Sequence, residues 1–164
     1  MGVVASDVNQ DGYMDLYIAN DYEKPDRYLI NQRNGTFADN LTRQFKHTCY
    51  SSMGTDIADM NNDGFMDIMV VDMQSSDHYR SKTNMGSMST ETFWNNVKQG
   101  YHYQFMSDVL QLNRGAGYFS DIGQLAGISS TDWSWSILAA DFDNDTHKDL
   151  YITNGINKDI QNND

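Results

Sequence analysis

The chain has 164 residues and a net charge of −12, from 11 Lys and Arg against 23 Asp and Glu. That balance excludes the basic footprint a nucleic-acid binder needs and the cationic clusters that hold proteins to anionic lipid. Aliphatic runs no longer than the four residues Ile68–Val71 exclude a transmembrane helix. No apolar N-terminal stretch reads as a signal peptide, and the length suits one domain. Of the 23 acids, 21 are Asp, beside 16 Asn and 12 Gly; this is a composition of turns and oxygen ligands with few helices.

In chain order, Met1–Ser6 reads as a strand entering a loop, although its first residues also fit a myristoylation pattern. The loop is Asp7-Val8-Asn9-Gln10-Asp11-Gly12-Tyr13-Met14-Asp15, and the strand Leu16-Tyr17-Ile18-Ala19 follows. Tyr28–Asp39 then reads as a hairpin, with an Asn-containing glycine turn between an apolar strand and a strand carrying Phe37. A second loop, Asp59–Asp67, and its strand Ile68–Val71 repeat the first, and a second hairpin spans Leu110–Asp121. Between them lies an insertion over about 73–106. Within it Thr90–Gln99 reads as one helix, capped by Thr90 and closed by Gly100. Ile137–Ala140 leads into a third loop, Asp141–Asp149, with the strand Leu150–Thr153 behind it, and 160–164 reads as a frayed tail.

Each loop has the pattern D-x-[DN]-x-D-[GT]-x-x-D. A hard divalent cation needs several oxygen ligands from a compact turn, and side chains 1, 3, 5 and 9 with the carbonyl of residue 7 supply them. The expected ligands are Asp7, Asn9, Asp11, the Tyr13 carbonyl and Asp15; Asp59, Asn61, Asp63, the Phe65 carbonyl and Asp67; and Asp141, Asp143, Asp145, the His147 carbonyl and Asp149. An all-oxygen, carboxylate-rich set selects Ca2+, up to three ions, over zinc or copper, and magnesium dehydrates too reluctantly. An Asp/Asn turn that merely caps strands is the alternative for a single copy; three copies weigh against it. EF-hands are excluded because their bidentate Glu at position 12 is replaced by Ile18, Val70 and Ile152.

The loop pattern, followed by the L-x-N-x-x-G-x-F hairpin, resembles FG-GAP/VCBS repeats, the calcium-binding blades of integrin-α-like β-propellers. Trp133-Ser134-Trp135-Ser136, Gln111-Leu112-Asn113 and Gly123–Gly127 resemble more narrowly the bacterial VCBS proteins related to cartilage acidic protein. Thr146 departs from the pattern, standing where the other loops have glycine. The resemblance implies an all-β fold, a propeller whose loops bind calcium and whose face presents a ligand-binding or adhesive surface.

First aspartates 52 and then 82 residues apart give about three blades. Repeat 1 covers about 1–50, repeat 2 about 51–130 including the insertion, and an incomplete repeat 3 about 131–164. Three blades cannot close a ring of four to eight, so a partial propeller is expected, with further blades outside this chain as its partners. Cys49 reads as a small buried apolar residue, and Asn34, Asn40 and Asn144 begin glycosylation sequons. No pairing of His47, His78, His102 or His147 with a nucleophile or metal motif is evident, and the His147 ring is expected to face outward. Trp94 with Tyr101-His102-Tyr103 could build a sugar shelf, but packing of the insertion on its own blade is the simpler role. The reading is a secreted or cell-surface, non-catalytic recognition module for a protein or glycan. Its alternative is the propeller portion of a secreted carbohydrate-active enzyme, with catalytic residues in the insertion or elsewhere.

Overall fold

The computed structural model describes residues 2–22, 24–83 and 89–155. Strands β1 (Gly2–Ser6), β2 (Asp15–Ala19), β3 (Arg27–Asn31) and β4 (Phe37–Asp39) form an antiparallel meander in that order. A single turn of helix, α1 (Leu41–Gln44), and the short strand β5 (Thr48–Cys49) lead to the next sheet. That sheet begins with β6 (Thr55–Ala58) and β7 (Asp67–Val70). The chain then runs through α2 (His78–Thr83), α3 (Thr90–Lys98) and β8 (Gln104–Phe105) before β9 (Val109–Asn113) and β10 (Phe119–Asp121) complete the order β6-β7-β9-β10. Finally β11 (Ser134–Ala140) and β12 (Asp149–Asn154) pair as two strands. The all-β, partial-propeller expectation holds: β1, β6 and β11 are the first strands of three successive sheets, and β6 packs beside both of the others.

The hydrophobic pattern explains this stacking. β2 alternates buried and half-buried residues, while every residue of β7 and β9 is buried. A strand covered on both faces reads as a continuous apolar run, and the middle sheet is the one with neighbours on both sides. Toward the first sheet, Phe45 stacks on Phe119 with centroids 4.3 Å apart, and Tyr28 meets both rings edge-on. Toward the third, Met53, Met69, Val71, Leu110, Leu112 and Ile137 form a second core. The inner strands approach at backbone level: a Cβ on Gly54 would sit 2.6 Å from Ser136 Cα and 2.9 Å from the Trp135 carbonyl. Cys49 is fully buried, as expected of an apolar residue.

The insertion departs from expectation in three ways. It contains α2 as well as α3. The cap of α3 is Ser89, not Thr90: Ser89 is extended at φ −66°, ψ 148°, and its Oγ accepts the Thr92 N–H. Gly100 follows the helix with φ +90°, as its role as a terminator requires. Its return strand β8 pairs in parallel with β5, Thr48 opposite Gln104. The 160–164 tail lies outside the described residues.

Candidate functional site

The three loops share one conformation down to individual hydrogen bonds. At position 1, Asp7 accepts the N–H groups of Asp11 and Gly12 at 2.9 and 2.8 Å. Asp59 does the same for Asp63 and Gly64, and Asp141 for Asp145 and Thr146. Position 3 (Asn9, Asn61, Asp143) accepts the N–H of position 5. Position 5 (Asp11, Asp63, Asp145) accepts the N–H of position 7, which is Tyr13, Phe65 and His147. These bonds wind the backbone around the acid side chains. The winding needs left-handed residues at position 6, where Gly12 has φ +86°, Gly64 +88° and Thr146 +75°.

Position 9 has a second job. Asp15 Oδ2 accepts Val8 N–H at 3.3 Å, while its Oδ1 accepts Asn31 N–H at 2.9 Å from β3. Asp67 takes Met60 N–H and, from β9, Asn113 N–H. Each of these carboxylates therefore ties its loop to the third strand of its sheet. Asp149 makes the first of these bonds, from Phe142 N–H at 3.1 Å. Burial raises the Asp15 and Asp67 pKa values above the ordinary carboxylate range; their backbone donors oppose the rise and neighbouring loop aspartates add to it.

In the third loop, where position 3 is an acid rather than Asn, three carboxylates converge. Asp141, Asp143 and Asp149 each offer an oxygen within 4.8 Å of the others, the one such acid, Cys or His group among the described residues. Asp145 is not in that trio. In the first loop Arg33 Nη2 lies 3.1 Å from Asp11 Oδ2 and its guanidinium sits 5.3 Å from the Tyr13 ring centroid. Partial desolvation pushes Asp11 upward, but hydrogen bonds from Arg33, Tyr13 N–H and Asn9, with the guanidinium charge, hold it below the usual value. At the equivalent place of the second hairpin stands Gly115, with the Phe65 ring where a Cβ would go. An all-oxygen, multiply acidic turn of this kind fits a hard cation and suits neither zinc nor copper.

Adjacent loops are joined by a contact that the motif pattern did not suggest. The position-4 residues Gln10, Asn62 and Asn144 are left-handed, with φ +59°, +57° and +63°. The Gln10 amide donates to the Gly64 carbonyl at 2.5 Å, and the Asn62 amide donates to the Thr146 carbonyl at 3.0 Å. The first and second loops thus each reach position 6 of the next. The recurring Gln/Asn at position 4 was the available signal. His147 is exposed, its Nδ1 3.4 Å from the Asn62 amide nitrogen.

Sequence reasoning also missed three buried carboxylates. Asp26 and Asp108 each precede a third strand and accept the N–H at the end of the second, Asn20 at 2.8 Å and Asp72 at 2.5 Å. Asp26 further accepts the Tyr17 and Ser52 hydroxyls, and Asp72 accepts Tyr50 and Ser51 N–H. Burial pushes Asp26 and Asp72 up to about 6 and Asp108 up to about 7, against their hydrogen bonds. Extending the hairpin alignment two residues backward would have paired Asp26 with Asp108. His47 lies 3.0 Å from Asp121, a hairpin acid outside the loop motifs. Of the four residues weighed as a shelf, Trp94 and Tyr103 both contact Phe93 and His102 lies beside Tyr103, whereas Tyr101 lines a pocket that none of the other three lines.

Residues 7–70 and 89–152 match the FG-GAP-like repeat, which together is most of the chain. The chain belongs to this repeat family. Both matched segments end at position 12 of a loop, on Val70 and Ile152. No curated protein matches it.

Proposed function

We propose that this is a calcium-binding recognition module, non-catalytic and exported to the cell surface or medium, that presents a propeller face to a protein or glycan. The observation that carries the reading is the threefold identity of loop conformation, with carboxylate oxygens at Asp141, Asp143 and Asp149 held within 4.8 Å of one another. Residues 1, 3, 5 and 9 of each loop, with the carbonyls of Tyr13, Phe65 and His147, would hold one ion apiece. Extracellular calcium is high enough to fill weak sites, which supports an exported location.

Isothermal titration of chelator-treated protein with calcium tests it. Saturable heat with a stoichiometry up to three is expected, and no heat at millimolar calcium would refute the reading. Ligand that binds only the folded chain adds about 2.7 kcal/mol per site at a hundredfold excess over Kd, so the melting temperature should drop on chelation.

A further inference from the structure

We propose that the two outer faces of the three-sheet stack bind each other in a second copy of this chain, so that two copies close head to tail into one six-sheet ring. Inside the chain, the residues that follow each loop pack in a fixed sense. Ile68 and Val70, at positions 10 and 12 of the second copy of the repeat, join the core shared with the first sheet. Met69, at position 11, joins the core shared with the third sheet, where Leu150 and Ile152, again positions 10 and 12, meet it. Tyr17, at position 11 of the first copy, is fully buried in the core shared with the second sheet. Positions 10 and 12 therefore pack backward along the stack and position 11 packs forward.

That rule leaves one backward face and one forward face uncovered among the described residues. On the first sheet Leu16 and Ile18 are only half-buried. Val3, opposite Ile18, is 65% exposed, although its equivalent Ile137, opposite Ile152, is 6% exposed. On the third sheet Tyr151 is 61% exposed where Tyr17 is fully buried, and Leu138 opposite it is 50% exposed. Apolar patches of this kind mark association surfaces. The loops carry the same asymmetry. Gln10 and Asn62 donate forward to the carbonyls of Gly64 and Thr146. The next donor in the series, the Asn144 side-chain amide, and the first acceptor, the Gly12 carbonyl, make no hydrogen bond among the described residues. The third sheet thus offers a donor beside Tyr151 and Leu138, and the first offers an acceptor beside Val3, Leu16 and Ile18. A second copy would fill both with contacts the chain already makes twice internally. Because the two faces differ, the contact is heterologous and forms either a ring or an open filament. Two copies bring six sheets, inside the four to eight of closed propellers, whereas three would bring nine.

Sedimentation of the full 164-residue chain at tens of micromolar tests it, with expected particles of twice the 18.7 kDa chain mass. Val3→Asp and Tyr151→Asp each place a charge on one outer face, and each variant alone should sediment as a monomer. Mixed in equal amounts they should recover a dimer, weaker than the parent's, because the intact third-sheet face of one meets the intact first-sheet face of the other. Misfolded chains could not rescue each other in this way. Asn144→Ala should raise the dimer dissociation constant several-fold. A monomeric parent would overturn the proposal and leave the faces to sheets of another polypeptide. A variant that stays dimeric alone, or a mixture that stays monomeric, would show that these two faces do not meet. Trimers or open filaments would refute the six-sheet ring. The ring uses the loop conformation and not an ion, so absent calcium heat with an intact dimer would sink the metal reading alone.

Discussion

Thr146 adopts at φ +75° the backbone conformation that Gly12 and Gly64 adopt without a Cβ. A β-branched residue in this region is strained, by about 1 kcal/mol or more. The third loop has a compensating feature, Asp143 in place of Asn9 and Asn61, and its carboxylate stands within 4.8 Å of Asp141 and Asp149. Strain should outweigh the extra charge, because it falls on the turn that would wrap the proposed ion. The third site is therefore expected to fill last. Thr146→Gly should tighten it several-fold in a calcium titration, and Gly12→Thr should weaken the first; unchanged or lower affinity in Thr146→Gly would show that the turn is not what limits the site.

At the scale of elements, neighbouring loops are coupled through backbone carbonyls. The Asn62 amide holds the Thr146 carbonyl at 3.0 Å, one residue before the expected ligand carbonyl of His147. Ordering one loop should therefore help to order the next, since the second binding event then costs less conformational entropy. Asn62→Ala is expected to leave the number of sites intact but reduce any cooperativity between the second and third; identical binding curves would show that the bridge transmits nothing. Inner strands are coupled differently, by close approach. Gly54→Ala would drive a Cβ to 2.6 Å from Ser136 Cα, a backbone atom that cannot swing away. A loss of roughly 1–3 kcal/mol is expected from this overpacking, read as a lower denaturation midpoint, whereas Gly35→Ala, with open space around it, tests backbone strain alone.

For the molecule as a whole, the three buried acids set a pH dependence. Asp26 and Asp72 are pushed up to about 6 and Asp108 up to about 7 by burial, above the unfolded value of about 4. The folded chain holds protons that the unfolded chain releases. Their contribution is therefore whole below about pH 4 and is lost as pH rises through 6 to 7. His102, lowered chiefly by burial, works in the opposite sense, but it is one group against three. In chelated protein the melting temperature should fall between pH 5 and 8, and Asp108→Asn should flatten that fall. A melting temperature that rises across this window would contradict the assignment.

Sequence alone determined the repeating unit. Nine-residue loops, alternating strands and Asn-Gly hairpins are local features, set by turn chemistry and side-chain period, and these appear at the expected residues. Asp7, Asp59 and Asp141 occupy equivalent places because the winding of each loop is fixed by bonds spanning five residues at most. Tertiary structure decided what contacts at long separation determine. Only the packed sheets show that Asp15 and Asp67 brace third strands 16 and 46 residues away, that Phe45 fills the space between two sheets, or that Gln10 reaches the second loop across 54 residues. Asp26 and Asp108 look like ordinary turn acids in the sequence. Burial beneath neighbouring strands raises their pKa values. Those properties depend on desolvation and distance in three dimensions, which no spacing along the chain encodes.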